Sequence, residues 1–192
     1  MASETMTTSD PRRVQLGEWL ATYNPWDEQE HQHRDAMTSL ARQASAPFNP
    51  QHLQPGHFTA SAFVLSPSRS ALLLIFHRKL MRWLQPGGHI ENQDTDTLAA
   101  ALREANEETG VHGLQLARPG IFDLDVHAIP ARKDIDAHHH FDVRFLFFAS
   151  DTTLKTNEEV RDARWVPLPD IQRLESDESV LRAVRKIEHL NL

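Results

Sequence analysis

Residues 87–111 read GGHIENQDTDTLAAALREANEETGV: a glycine pair, a polar loop, and a helical pattern that stops at a glycine. On a helix at about 100° per residue, Leu98, Ala101, Leu102, Ala105 and Thr109 fall on one narrow stripe facing a core. Glu104, Glu107 and Glu108 share another face, because residues three and four apart are neighbours on a helix. Gly110 supplies the C-terminal stop. Asp94, Thr95 or Asp96 can cap the N-terminus.

Three carboxylates at i, i+3 and i+4 make a fixed oxygen array suited to a hard divalent cation. The corner at Gly87 and Gly88 lets a backbone carbonyl or a substrate approach closely. Arg103 can hold a neighbouring carboxylate through its planar fork. The same three glutamates, taken alone, also fit a solvated acidic helix face, since exposed like-charge pairs cost only about 0.2–0.5 kcal/mol each.

Working outward, residues 58–65 and 71–77 predict strands. The second is a continuous apolar run, as in a strand buried on both faces. Pro47, Pro50, Pro55 and Gly56 punctuate a linker before them. Helical patterns cover residues 12–23 and 27–44, and the first ten residues are polar enough to predict disorder. Beyond the glutamates, residues 121–129 and 138–149 alternate with period two. Residues 164–166 read as a short edge strand closed by Pro167. Residues 179–190 carry Val180, Val184, Ile187 and Leu190 on one helical stripe. The expected organisation is a helical extension over residues 1–54 and a mixed α/β domain over residues 55–192.

The strand at 138–149 puts His138, His140, Asp142 and Arg144 on one face, which lines either a cleft or an ordinary wet sheet surface. In a cleft, His140 would act as a base or hold a phosphate, with Arg144 as a phosphate clamp. A zinc site from His138, His140 and His127 is a further option. His77, Arg78, Lys79 and Arg82 form either a positive rim for substrate phosphates or a solvated hairpin. Trp19 and Trp26 are expected to pack against the domain.

The stretch 87–111 resembles the signature of the Nudix (MutT-like) hydrolases, G-x5-E-x7-R-E-U-x-E-E-x-G-U, where U is a bulky aliphatic residue. Gly88 matches the leading glycine. Arg103, Glu104, Glu107, Glu108, Gly110 and Val111 match the second half in register, with the smaller Ala105 at the first U. Asp94 stands at the first acidic position, and the spacer from there to Arg103 is one residue longer. The resemblance implies a Nudix fold, an α/β/α sandwich with a mixed sheet, here with the N-terminal helical extension. It implies hydrolysis of the diphosphate linkage of a nucleoside diphosphate derivative, with magnesium or manganese as cofactor.

Carried over by position, Glu104, Glu107, Glu108 and the Gly87 carbonyl would be metal ligands, and Arg103 would orient the carboxylates. Arg78, Gly88, His138 and Arg144 would contact substrate. The general base is expected at Glu158, Glu159 or Asp162, or at His140. A nucleotide-binding module that does not cleave is the alternative. An isomerase of prenyl diphosphates ranks low, because that chemistry resembles one using a cysteine.

The composition agrees with this class of chemistry. The chain has 192 residues, no cysteine and a formal net charge of -7. Cysteine nucleophiles, thiolate metal sites and disulfides are excluded. The acidic balance argues against a broad nucleic-acid surface, leaving a small molecule as the expected partner. No apolar run is long enough to span a bilayer, and the first residues lack the apolar centre of a signal peptide. These features predict a cytoplasmic protein without membrane contact. A homodimer is left open.

Overall fold

The computed structural model describes residues 10–78, 80–156 and 160–190. Lys79, Glu158, Glu159 and the disorder expected at the start of the chain lie outside the described residues, apart from Asp10. Asp10 and Asp27 cap two helices, α1 (Pro11–Thr22) and α2 (Glu28–Gln43), through side-chain oxygens. Each satisfies an N–H that the first helical turn leaves unpaired. The carboxylate helix is α3 (Thr97–Thr109). Among the candidate caps, Asp96 accepts from Ala99 N–H at 2.8 Å, and Gly110 ends the helix at φ 67°.

Eight strands form one mixed sheet among the described residues. β1 (Gly56–Leu65) and β7 (His138–Phe148) are central and parallel, in register from Gly56–His139 to Leu65–Phe148. β2 (Ala71–His77) joins β1 antiparallel, and β3 (Arg82–Leu84) follows it in a hairpin. β4 (Gly87–His89) lies on the opposite part of β1, where Ser61 pairs with Gly87. β5 (Gln115–Leu116) and β6 (Asp123–Ile129) pair with β7. β8 (Val160–Pro167) runs along β2 and is longer than the three-residue edge strand predicted, because β2 offers a partner over its whole length.

Alternation along β1 divides the core. Phe58, Ala60, Ala62 and Val64 meet Leu16, Leu20, Met37 and Leu40 of α1 and α2, and Ala101 and Ala105 of α3. Phe63 and Leu65 face the other way, onto Val180, Ala183, Val184 and Ile187 of α4 (Glu178–His189). The result is the α/β/α sandwich predicted, with α1 and α2 sharing the core of the sheet. Trp19 packs edge-on against Phe145 at 5.5 Å. Trp26 departs from expectation: it is 44% exposed, with its ring edge-on to that of His189. No helix among the described residues is long and apolar enough to cross a membrane.

A charged cluster lies between α4 and the sheet. Asp123, fully buried, accepts from Arg144, Arg182 and Lys186. Glu30 accepts from Tyr23, the Trp26 N–H and Lys186, tying α2 to α4. Burial alone would raise the Asp123 carboxyl, but Lys186, Arg144 and Arg182 outweigh it and hold it well below the usual range. Asp125 is likewise lowered against burial, chiefly by Arg144 and His127. A lowered folded-state pKa adds stability above the unfolded value and loses it as pH falls. Urea midpoints are therefore expected to fall most steeply below about pH 4, where unfolded aspartates take up protons. Glu30, raised by burial, opposes this in part. A midpoint that stays flat from pH 5 to pH 3 would contradict the account.

Candidate active site

The corner at Gly87 and Gly88 sits between β1 and α3. Gly87 N–H donates to Glu108 Oε2 at 3.0 Å, fixing the buried glutamate against the corner. Gly88 faces Glu104 so closely that a Cβ there would lie 2.6 Å from Glu104 Oε1. At Gly87 a Cβ would strike the Ala60 carbonyl oxygen at 2.7 Å and Ser61 Oγ at 2.3 Å. The two glycines are therefore needed for close approach, one to a carboxylate and one to the backbone.

Arg103 organises the acidic face. Its Nη1 donates to Glu104 Oε1 and to Glu107 Oε2, both at 3.0 Å. Its Nε and Nη2 form a fork on Asp94, at 3.0 and 2.9 Å, and Nη2 also reaches the His89 carbonyl. Asp94, buried, accepts from Glu91 N–H as well. This geometry gives Asp94 a role the sequence left in doubt: it anchors the arginine, and the extra residue is absorbed in the loop. Asp94 chiefly, with Glu104, raises the Arg103 pKa, so its charge is permanent. Burial raises the Glu104 carboxyl, against the pull of Arg103.

Arg103 takes one oxygen each of Glu104 and Glu107 and leaves the second oxygen of each for a cation. With Glu108 held at the same corner through the Gly87 N–H, the side-chain donors are all hard oxygens, which would fit magnesium or manganese. Gly88→Ala should push the Glu104 carboxylate out of this array. We expect at least a tenfold loss of metal-dependent turnover, with the thermal midpoint shifted only a few degrees. Gly87→Ala should instead lower stability by about 1–3 kcal/mol, because backbone cannot yield as a side chain does. Equal effects of the two on stability would refute this distinction.

The remaining expected site residues fall into separate places. His138 and His140 join His57, His89 and His127 in a cluster of rings 4.9–5.5 Å apart. The cluster borders the acidic face, since the His89 carbonyl accepts from Arg103 while the His89 ring lies 5.4 Å from His140. Burial, then the neighbouring imidazoles, pushes His140 far below its ordinary pKa and His57 down to about 4.

Arg144 is not in a cleft. It is 2% exposed and enclosed by Asp123, Asp125 and Asp142, with Ser179 of α4 on its Nη2. α4 covers the sheet there, so the guanidinium is spent inside the protein. Arg78 is exposed in the turn after β2 and makes no hydrogen bond with the acidic face among the described residues. Asp162 pairs with Arg164. His57 and Asp94 are the members sequence reasoning missed. The signal for Asp94 was its place in the motif; His57 had none.

A family model described as NUDIX domain matches residues 55–186. An RNA pyrophosphohydrolase of Sphingopyxis alaskensis is 35% identical over 103 residues, 48% of this chain and 65% of that protein. The chain thus spans less than two thirds of that relative's length. A C. elegans Ap4A hydrolase binary complex superposes with a TM-score of 0.54 at 17% identity, over 69% of this chain and 96% of that one. The NUDIX domain of Shewanella oneidensis NrtR, complexed with ADP ribose, gives 0.53 at 21%, over 81% and 98%. These two likenesses concern the fold. The family match covers most of the chain and includes the glycine corner, the anchored arginine and the three glutamates, and so this chain belongs to the Nudix family.

Proposed function

We propose that the protein hydrolyses the diphosphate linkage of a nucleoside diphosphate derivative, releasing a nucleoside monophosphate and a phosphorylated remainder. The observation that carries this reading is the array of Glu104, Glu107 and Glu108 around the glycine corner, held by an arginine that is itself held by Asp94. A solvated acidic face would need no such anchoring. A bound magnesium or manganese ion would neutralise diphosphate charge and activate a water for attack. The three glutamates and the Gly87 carbonyl would hold it. Arg103 keeps the carboxylates in one geometry, so that little rearrangement is needed when substrate arrives. Gly88 leaves room for the Glu104 carboxylate itself against the corner.

His140 is a poor proton acceptor, because a base works best with a pKa near the working pH. The proton therefore goes to the acidic stretch at residues 158–162, with Glu158 the first candidate. Residues 55–192 form the hydrolase domain in this reading. Residues 1–54 are an extension, and its described part from residue 10 onward covers one face of the sheet, supported by the burial of Leu16, Leu20 and Met37. The relatives' names suggest three substrates to try first: ADP-ribose, a dinucleoside tetraphosphate, and RNA with a 5′ pyrophosphate. The net charge of -7 favours the small molecules, since phosphate-backbone contact needs cationic surface. Nucleotide sugars complete the panel. The expected result is monophosphate release from at least one compound, abolished by EDTA and restored by magnesium or manganese. No turnover with any compound in either metal would favour a nucleotide-binding module.

A further inference from the structure

The histidine cluster is not explained by diphosphate hydrolysis. Strand register builds it. His57 of β1 pairs with His140 of β7, and His140 pairs with His127 of β6. His138 lies two residues back on the same face of β7, and His89 comes across from β4. Two of these rings, His57 and His138, are buried, and a buried imidazole is costly unless it is paired or ligating.

The hydrogen bonds on these rings point one way. His57 Nδ1 meets the carbonyl of His52 at 3.3 Å, and His138 Nδ1 meets the carbonyl of Asp136 at 2.8 Å. A carbonyl only accepts, so in both rings Nδ1 carries the proton and Nε2 carries the lone pair. His127 Nδ1 is set in the same way, by Asp125 Oδ2 at 3.0 Å. Outer partners of this kind orient metal-binding histidines and fix their tautomer. His57 is 1% exposed, and its Nε2 has no hydrogen-bond partner among the described residues. A buried, lone-pair-bearing nitrogen left unpaired is what a ligand position requires and what a structural histidine avoids.

We propose that His57, His138 and His140 form a second metal centre, for a zinc-class transition ion bound through imidazole nitrogen. One ring nitrogen from each lies within 4.8 Å of the others. A tetrahedral ion with nitrogens at about 2.1 Å would draw them to roughly 3.4 Å, within reach of small ring rotations. The three-histidine set leaves a fourth position for water, His89 or His127. The donors separate this centre from the acidic face: imidazole selects zinc, cobalt, nickel or copper, whereas the glutamates select magnesium or manganese. A cavity of about 440 Å³ is lined in part by Pro55, Ile129, Pro130 and His138, one of the three proposed ligands. Bound there, the ion would pin β1 to β7 beside the glycine corner.

The test uses the full chain with any affinity tag removed, stripped with EDTA and titrated with cobalt(II). The expected result is one equivalent bound with the strong visible absorption of a four-coordinate nitrogen site. Zinc should displace it and millimolar magnesium should not. His57→Gln and His140→Gln should each weaken cobalt binding on the order of 100-fold, while Glu107→Gln should leave it unchanged. Circular dichroism checks the folding of each variant. Should either variant unfold, imidazole NMR of the unaltered protein decides. Zinc-induced shifts confined to His57, His138, His140 and their ring neighbours support the centre, whereas shifts confined to His31, His112 or His189 overturn it. Loss of the cobalt spectrum in Glu107→Gln, or no stoichiometric binding, also overturns it. None of these readouts needs substrate, so failure here is distinct from failure of the hydrolase reading.

Discussion

Glu107→Gln is expected to lower metal-dependent turnover about 100- to 1,000-fold, roughly 3–4 kcal/mol of transition-state stabilisation. The unfolding midpoint should not move. The reason lies in its surroundings. The Glu107 side chain is 53% exposed, and its ion pair is with Arg103. A neutral amide of the same shape can still accept that hydrogen bond through its oxygen, so the fold loses almost nothing. What is lost is negative charge at an acidic position open to solvent, where a cation would arrive.

Glu108→Gln makes the contrasting case. Glu108 accepts from the Gly87 N–H, and an amide oxygen can keep that bond. Its loss of turnover should be similar, but rotation of the amide would place an N–H against Gly87, so a modest drop in stability is expected too. The double variant should be little worse than either single one, since ligands of one ion act as a unit. The check is steady-state turnover at saturating magnesium, beside urea unfolding of the same preparations. If both single variants retain more than a third of the activity, these carboxylates do not hold the working metal.

Much of this arrangement was legible before any coordinates, and what was not has a common physical origin. Period and spacing revealed the helix, its glutamate face and the glycine that ends it, because those contacts are local. Asp94 was visible as a departure from the motif, but not as the anchor of Arg103. That pairing closes a nine-residue separation through the path of a loop. In β6, alternation separates Leu124, which lies in the core, from its neighbours Asp123 and Asp125. It gave no hint that Asp123 and Asp125, on the other face, are buried too. A period of two tells which residues share a face, not whether a helix covers it. Only the docking of α4, with Arg182 and Lys186 four residues apart on it, turns that face into an interior. His57 is the sharpest instance. A lone histidine at the start of a strand carries no signal, and it gains meaning from parallel pairing with a residue 83 positions away.

The same covering by α4 redefines Arg144, and the consequence can be measured. Arg144→Met should destabilise the protein by about 3–5 kcal/mol, a large part of the stability of an ordinary domain. The cluster holds four carboxylates, Glu30, Asp123, Asp125 and Asp142, against three cations, Arg144, Arg182 and Lys186. Ser61 and Thr59 hydroxyls donate to Asp142 and soften that excess. Removing Arg144 leaves four anions against two cations. It strips a cationic partner from Asp123, Asp125 and Asp142 at once.

The pH dependence should reverse accordingly. In the parent protein Asp123 and Asp125 are stabilising above about pH 4 and lose that contribution as pH falls. Without Arg144 their burial dominates and their folded pKa values rise above the unfolded ones. The variant then regains stability as they take up protons, so its deficit should narrow between pH 8 and pH 5. Adding Asp142→Asn to Arg144→Met should recover part of the loss, giving a non-additive cycle. Urea unfolding at the two pH values measures all of this. A phosphate clamp would behave in the opposite way: Arg144→Met would raise KM and leave the unfolding midpoint where it was. The expected pattern is a lowered midpoint, with KM unchanged in whatever fraction remains folded.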